Sequence, residues 1–194
     1  MQLPLFPLHA IVLPGGKLHL RIFETRYVDM VTNCFRDDSG FGVCLIRDGS
    51  EAGNVATPFP SGTEVSIVDW DKGSDGLLNI VALGQQRFTL LDWKVMPDKL
   101  LVGEVSHLPR EPSAALPKEH RALSELLNKL LEQLPFDWGD DEKQLDDAGW
   151  VGNRLLEILP MAGAQKQHMI DCGHPTERLE LLAKFIRDAS ASRN

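Results

Sequence analysis

The first thirty residues, MQLPLFPLHAIVLPGGKLHLRIFETRYVDM, change their apolar period once, and this change limits the folds open to the chain. After a turn at Gly15-Gly16, apolar residues alternate with polar ones as in a half-buried strand. From Glu24 they recur at three and four positions, as on one face of a helix. The residues on that face are Tyr27, Met30, Val31 and Phe35, with Cys34 beside them. We therefore expect a strand, a turn, a strand and a helix, against which later strands pack.

Further short strands follow this nucleus. Apolar or alternating segments cover residues 41–46, 63–70, 77–81, 87–93 and 100–105. The Gly- and Pro-rich residues 51–62 predict an irregular loop, residues 71–76 a hairpin loop, and Gly84 a break between strands. Several short strands around one early helix indicate a small barrel-like sheet, antiparallel or mixed.

The composition changes near Pro109 and Pro112, beyond which leucines replace β-branched residues. Leucines at helical spacing predict a helix over residues 123–134, which Pro135 ends. Further helices are expected at about 142–159, at 164–171 and from Pro175 onward. The prediction is an α+β protein with two domains, a β-rich one at residues 1–112 and a helical bundle at residues 113–194.

The opening residues also carry a family likeness. LPLFPL at residues 3–8, VLPG at 12–15 and the run LxLxIFExRYxxM at 18–30 occur in that order. Gly62-Thr63, Gly84-x-x-Arg87-Phe88 and the closing residues 177–182 extend the match along essentially the whole chain. This arrangement resembles the N-terminal, substrate-recognition domain of Lon proteases.

The resemblance implies a fold and a function. In that family the strands form a PUA-like pseudo-barrel with an inserted helix, and the domain is thought to recognise substrates. No G-x-x-x-x-G-K-[ST] loop is present, and Gly15-Gly16-Lys17 lacks the spacing and the following hydroxyl. We therefore expect a recognition domain without the ATPase and peptidase of full-length Lon, hence no enzyme and no cofactor.

Catalytic and metal-binding patterns are weak elsewhere. No serine lies in a G-x-S-x-G elbow, and a Ser–His–Asp triad, which forms only in the fold, leaves a small hydrolase as the lesser alternative. His168, Cys172 and His174 form the one metal-like cluster, but a structural zinc site needs a fourth ligand. The favoured interpretation is that these residues form a polar helix end and that His174 caps the next helix. We therefore expect no metal.

The charge and the cysteine content limit the possible binding partners and the cellular compartment. A formal net charge of −8 with dispersed lysines and arginines argues against nucleic-acid binding, the alternative that a PUA-like fold suggests. Three cysteines do not make a disulfide framework, and no apolar run reaches the length of a membrane helix. We expect a cytoplasmic protein that does not bind membranes.

The expected partner is unfolded or extended polypeptide, bound by an adaptor or holdase that works with a protease or chaperone. The candidate peptide-binding residues are aromatic side chains at strand or loop ends, where they stay partly exposed. They are Phe59, Trp70, Trp93 and Trp138. A strand at a sheet edge is a second means of holding a peptide. The sequence indicates no particular client or oligomeric state.

Overall fold

The computed structural model describes residues 1–134 and 143–191. It divides into two compact units, Met1–Arg110 and Glu111–Asn194. Strands make up most of the first unit and helices the second, so the predicted α+β class is confirmed. No helix in the described ranges is long and apolar enough to cross a membrane.

Six strands and one helix form the first unit within the described residues. The strands are β1 (Gln2–Leu8), β2 (Lys17–Ile22), β3 (Phe41–Asp48), β4 (Thr57–Lys72), β5 (Leu78–Val95) and β6 (Leu101–His107), and helix α1 (Thr25–Asp37) follows β2. The nucleus predicted from the first thirty residues is thus present, with β2 and α1 within one or two residues of the expected bounds.

Five of the strands close into a ring. The order runs β1, β3, β4, β5 and β6, and β6 returns to β1 through pairs such as Leu3 with Gly103. Only β1 and β3 are parallel, while β2 lies outside the ring and pairs with the first part of β5. A closed ring removes most of the free sheet edges, which agrees with the predicted barrel.

Two apolar clusters hold this unit together. One brings α1 onto the sheet, where Tyr27 stacks on Phe6 with ring centroids 3.9 Å apart. The other joins β1, β3, β5 and β6 around Leu5 and Phe88, both fully buried. Arg26, at the start of α1, donates to the Lys99 carbonyl at 2.9 Å, which ties the helix to the turn before β6. The helix is therefore fixed relative to the strands.

Two strand predictions were wrong, for local reasons. The expected break at Gly84 is absent, because β5 runs unbroken from Leu78 to Val95. A Cβ at Gly84 would lie 2.2 Å from the Leu13 carbonyl oxygen, so glycine there permits a close approach of the opening loop. The loop predicted for residues 51–62 ends early, since β4 already begins at Thr57 and pairs with β3.

The described part of the second unit contains four α-helices, preceded by a short 3-10 helix at Lys118–His120. They are α2 (Arg121–Leu131), α3 (Ala148–Ile158), α4 (Gly163–Asp171) and α5 (Pro175–Ala191). Helix α3 was expected to start near residue 142, but it starts at Ala148 because the Asp147 carboxylate accepts the Trp150 N–H at 2.8 Å and caps it.

Candidate functional site

An exposed pair of aromatic side chains joins α1 to β4. Phe35 lies near the end of α1 and Trp70 near the end of β4, with ring centroids 6.0 Å apart and planes inclined by 60°. Phe35 is 46% exposed and Trp70 59% exposed. Aromatic rings side by side in water offer a large apolar contact area, as binding surfaces do. We call Phe35 and Trp70 the aromatic pair.

Trp70 reaches this position because β4 contains a bulge. Ile67 pairs with Ala82 and Trp70 pairs with Ile80, while Val68 is the extra residue between them. Ala82 and Ile80 are two apart on β5 and share a face, so Ile67 and Trp70 also share a face. The bulge therefore places Trp70 at the end of a row that includes buried Ile80.

Phe35 lies at the margin of the buried side of α1. The helical period predicted it to point inward, and this was wrong. The buried residues of α1 are Arg26, Tyr27, Met30, Val31 and Cys34. Cys34, only 3% exposed, takes the inner position, and Phe35 is left beside the edge of the sheet. Phe35 comes eight residues after Tyr27, a spacing that places it at the margin of the helix face that Tyr27 occupies. This spacing is the sequence signal for its exposure.

A cavity of about 290 Å³ lies between the end of α1 and β4. Phe35 and Asp38 line it from the helix side, and Glu64, Val65 and Ile67 line it from β4. Successive residues of a strand point to opposite faces, so Glu64 and Val65 belong to different faces of the sheet. The cavity therefore meets residues of both faces of β4 where α1 ends, and Gln85 of β5 also lines it.

Part of one edge of β4 has no strand beside it. The pairing of β3 with β4 ends at Phe41 and Val65, whereas the pairing of β5 with β4 continues to Leu78 and Lys72. On the side away from β5, no strand of the described residues pairs with residues 66–72. We call this side the open edge. No strand covers its backbone groups, although the Trp70 N–H already donates to the Asp69 carboxylate at 2.9 Å.

Acidic residues lie on the face of β4 opposite Trp70. Asp69 and Asp71 are both exposed, and Asp71 accepts a hydrogen bond from Asn79 at 2.7 Å. Arg21, in the same cross-strand row on β2, already forms an ion pair with Asp75. The open edge thus has an aromatic side chain on one face and carboxylates on the other.

Comparison with known proteins decides the family. The model of the ATP-dependent protease La (LON) substrate-binding domain matches residues 2–188. The chain belongs to this family. The resemblance drawn from the opening residues is therefore confirmed.

Solved structures agree with this Lon assignment. The chain is 40% identical to a Lon N-terminal domain protein from Xanthomonas campestris, with a TM-score of 0.76 over 95% of this chain and 98% of that one. The N-terminal domain of Mycobacterium avium complex Lon protease is 19% identical, has a TM-score of 0.67 and shares the fold over 97% of this chain and 99% of that one. The search of curated proteins finds no match.

The predicted binding aromatics have different positions in this Lon substrate-binding domain. Phe59 is half-buried within β4 and does not lie in a loop. Trp93 is half-buried on β5, where it packs against the cluster around Phe88. Trp138 lies outside the described residues. Trp70 is therefore the most exposed of the predicted aromatics that the structure describes, and its ring neighbour is Phe35.

The metal-like cluster of the second unit makes local contacts. His174 Nδ1 lies 2.8 Å from Thr176 Oγ1, and Cys172 Sγ donates to the His174 carbonyl at 3.7 Å. Across residues 1–134 and 143–191, no three His, Cys, Asp or Glu side chains are arranged to hold a metal ion. The contacts of His174 are those of a residue at the start of α5.

Proposed function

We propose that this protein is a non-catalytic recognition module that binds extended or unfolded polypeptide at the aromatic pair and the cavity beside it. In this role it holds unfolded clients, or delivers them as an adaptor to a protease or chaperone. The observation that carries the proposal is the exposure of Phe35 and Trp70 in contact with each other. Membership in the Lon substrate-binding family supports it.

The physical basis is burial of apolar client side chains. Unfolded chains expose aromatic and aliphatic side chains that a folded protein buries. Moving these side chains out of water lowers the free energy. The aromatic pair is held in place by a helix and a strand, so it loses little conformational entropy when a client side chain binds to it. The adjacent cavity admits a side chain beyond the rings.

A binding titration tests the proposal. A permanently unfolded polypeptide with a fluorescent label is titrated with wild type, with the Phe35→Ala/Trp70→Ala variant and with Leu91→Ala. Leu91, 62% exposed on β5, is the control for loss of an exposed apolar side chain elsewhere. We expect the double variant to bind at least about tenfold more weakly and the control to bind like wild type. Circular dichroism first establishes that all three are folded.

The remaining outcomes are also informative. If the double variant and the wild type bind alike, recognition does not use the aromatic pair. If wild type does not bind the unfolded polypeptide at all, the proposed function is wrong. Light scattering from a denaturing client then separates the two roles, since a holdase suppresses aggregation by itself whereas an adaptor requires its partner machinery.

Nucleic-acid binding has no comparable support at this surface. Asp38 lies at the cavity, and Asp69 and Asp71 lie along the open edge. Carboxylates repel the phosphate backbone, and a nucleic-acid site needs basic residues around its stacking aromatics. The same charges favour a partner that carries lysine or arginine.

A further inference from the structure

We propose that the polypeptide binds as an added strand along the open edge of β4, and that the preferred segment alternates apolar with basic residues. This inference rests on the proposed function and makes it more specific. The open edge comprises residues 66–72, which span roughly 20 Å at about 3.4 Å per residue. A segment of about six or seven residues has the matching length.

One face of the added strand meets apolar side chains. Cross-strand neighbours point to the same face of a sheet, so a peptide residue beside Ile67 or Trp70 lies on their side. Phe35 contacts Trp70 from α1, and the cavity opens between Phe35 and Ile67. At every second position of the peptide, an aromatic or branched aliphatic side chain therefore contributes most to the binding affinity.

The other face meets carboxylates. Asp69 and Asp71 alternate with Trp70 along β4, so the peptide residues next to them lie on the opposite face from its apolar side chains. The Trp70 N–H donates to the Asp69 carboxylate at 2.9 Å, which holds that charge close to the strand. Opposite charges on neighbouring strands attract, so lysine or arginine is favoured at these positions.

Two features favour such a peptide over a second copy of this chain. If two β4 edges paired, Asp69 and Asp71 of both copies would be brought together, and like charges across a sheet are destabilising. The bulge at Val68 also increases the local twist, which disfavours long flat pairings of the kind seen in aggregates. A short basic and apolar strand meets neither obstacle.

Peptides with matched composition test the pattern. The first alternates lysine with phenylalanine or valine over about seven residues. The second has the same residues in separate basic and apolar blocks, and the third replaces each lysine by glutamate. We expect the alternating peptide to bind at least about tenfold more tightly than either of the others, with an affinity that falls as salt rises.

N-methylation of the peptide backbone tests strand addition directly. In a strand, alternate N–H groups point to opposite edges, so methylating one alternate set blocks one edge only. We expect one methylated set to abolish binding and the complementary set to leave it nearly unchanged. Side-chain capture without strand addition predicts that the two sets have the same effect.

Charge variants test whether the peptide binds beside Asp69 and Asp71 on the open edge. Asp69→Asn/Asp71→Asn retains hydrogen-bonding side chains and removes two charges, and we expect it to abolish the preference for lysine over glutamate. Asp92→Asn is the control, because Asp92 accepts the Trp93 N–H at 2.8 Å in the same local arrangement on β5. We expect this control to retain the preference.

The outcomes separate this inference from the proposed function. If unfolded polypeptide binds at the aromatic pair but alternating and block peptides bind equally, strand addition is wrong and the proposed function stands. If neither the polypeptide nor any peptide binds, both are wrong. If sedimentation shows a dimer that Trp70→Ala dissociates, the open edge is occupied by a second copy and the inference is overturned.

Discussion

Ile67 and Trp70 lie on the same face of β4, although residues three apart in a regular strand lie on opposite faces. Val68 is the cause, since it is the extra residue between the paired positions. Without it Trp70 would lie among the carboxylates of the other face, away from Phe35. The aromatic pair therefore depends on one inserted residue.

The same arrangement recurs on β5. Leu90 pairs with Val105 and Trp93 with Gly103, and Leu91 is the extra residue between them. As on β4, an apolar residue, an exposed apolar residue, an aspartate and a tryptophan follow one another. Trp93 packs against the core, whereas Trp70 does not. The local geometry is shared, and the neighbouring elements decide which tryptophan is exposed.

The first prediction compares a surface ring with a core ring. Trp70→Ala should lower the free energy of unfolding by less than about 1 kcal/mol, because Trp70 is already 59% exposed. Phe88→Ala should lower it by about 3–5 kcal/mol, because this fully buried ring leaves a cavity. Urea unfolding measures both values. A loss at Trp70 as large as that at Phe88 would show that the aromatic pair is part of the core.

The second prediction concerns Tyr27, the only tyrosine in the chain. Burial raises its pKa from 10.0 to about 12, and the nearby Glu24 and Glu51 add to the shift while Arg26 opposes it. Absorbance of tyrosinate in the folded protein should therefore appear near pH 12 rather than near pH 10.

The raised pKa also predicts a pH dependence of stability. Above pH 10 the unfolded state releases the phenolic proton while the folded state keeps it, so the free energy of unfolding falls as pH rises. The contribution is fully present below pH 10 and lost on rising through about 12. Tyr27→Phe should make this fall shallower. An identical pH dependence in wild type and variant would contradict the assignment.

The third prediction is an order of thiol reactivity. Burial raises the pKa of Cys44 to about 12 and also raises that of Cys34, and both side chains are almost fully buried. Cys172 is only partly buried. Iodoacetamide should therefore modify Cys172 first and the other two only after unfolding, as peptide mapping by mass spectrometry would show. Equal labelling of Cys44 and Cys172 in native buffer would mean that the strand core opens readily.

The fourth prediction concerns Arg178, a fully buried residue of α5. Its guanidinium forms an ion pair with Glu111 and donates to Asn153 Oδ1 at 2.6 Å and to the Met169 and Cys172 carbonyls, each at 3.1 Å. Arg178→Ala removes the ion pair with Glu111 and these three donated hydrogen bonds from a buried site, so it should destabilise the second unit by about 3–5 kcal/mol. Hydrogen exchange of the amides in α3 and α5 measures the loss.

Arg187→Ala is the control for this variant, because Arg187 is an exposed arginine on the same helix. It should change stability by less than about 0.5 kcal/mol. If the two arginine variants lose the same protection, the buried network contributes nothing beyond the charge of the helix. Loss of protection confined to Arg178→Ala would support the network.

Apolar patterns predicted much of the first unit, because β2 and α1 each bury mainly one face and β3 is buried on both. Alternation located β2, a continuous apolar run located β3, and the change of period located α1. These patterns failed at Gly84, where a glycine that allows close approach of Leu13 has the same sequence signal as a glycine that ends a strand. Only the tertiary contact distinguishes the two cases.

The candidate site was harder to predict for a similar reason. Trp70 was among the predicted aromatics, but its partner Phe35 was assigned to the core, because a period of 3.6 does not tell how far the sheet extends over the helix. The open edge depends on where β3 begins beside β4, at the pair Phe41 and Val65. The sequence of either segment alone does not determine which residues pair. Val68 next to Ile67, a second apolar residue where alternation requires a polar one, was the local sign of the bulge.

Closure of the ring by β1 and β6 has a consequence for the synthesis of this protein. Residues 2–5 pair with residues 101–104. During synthesis β1 therefore lacks this partner until β6 has left the ribosome. Until then β1 has only β3 beside it, and bringing such distant segments together is slow compared with forming the helices of the second unit. A member of a substrate-binding family thus has, for part of its own translation, a strand with one edge unpaired.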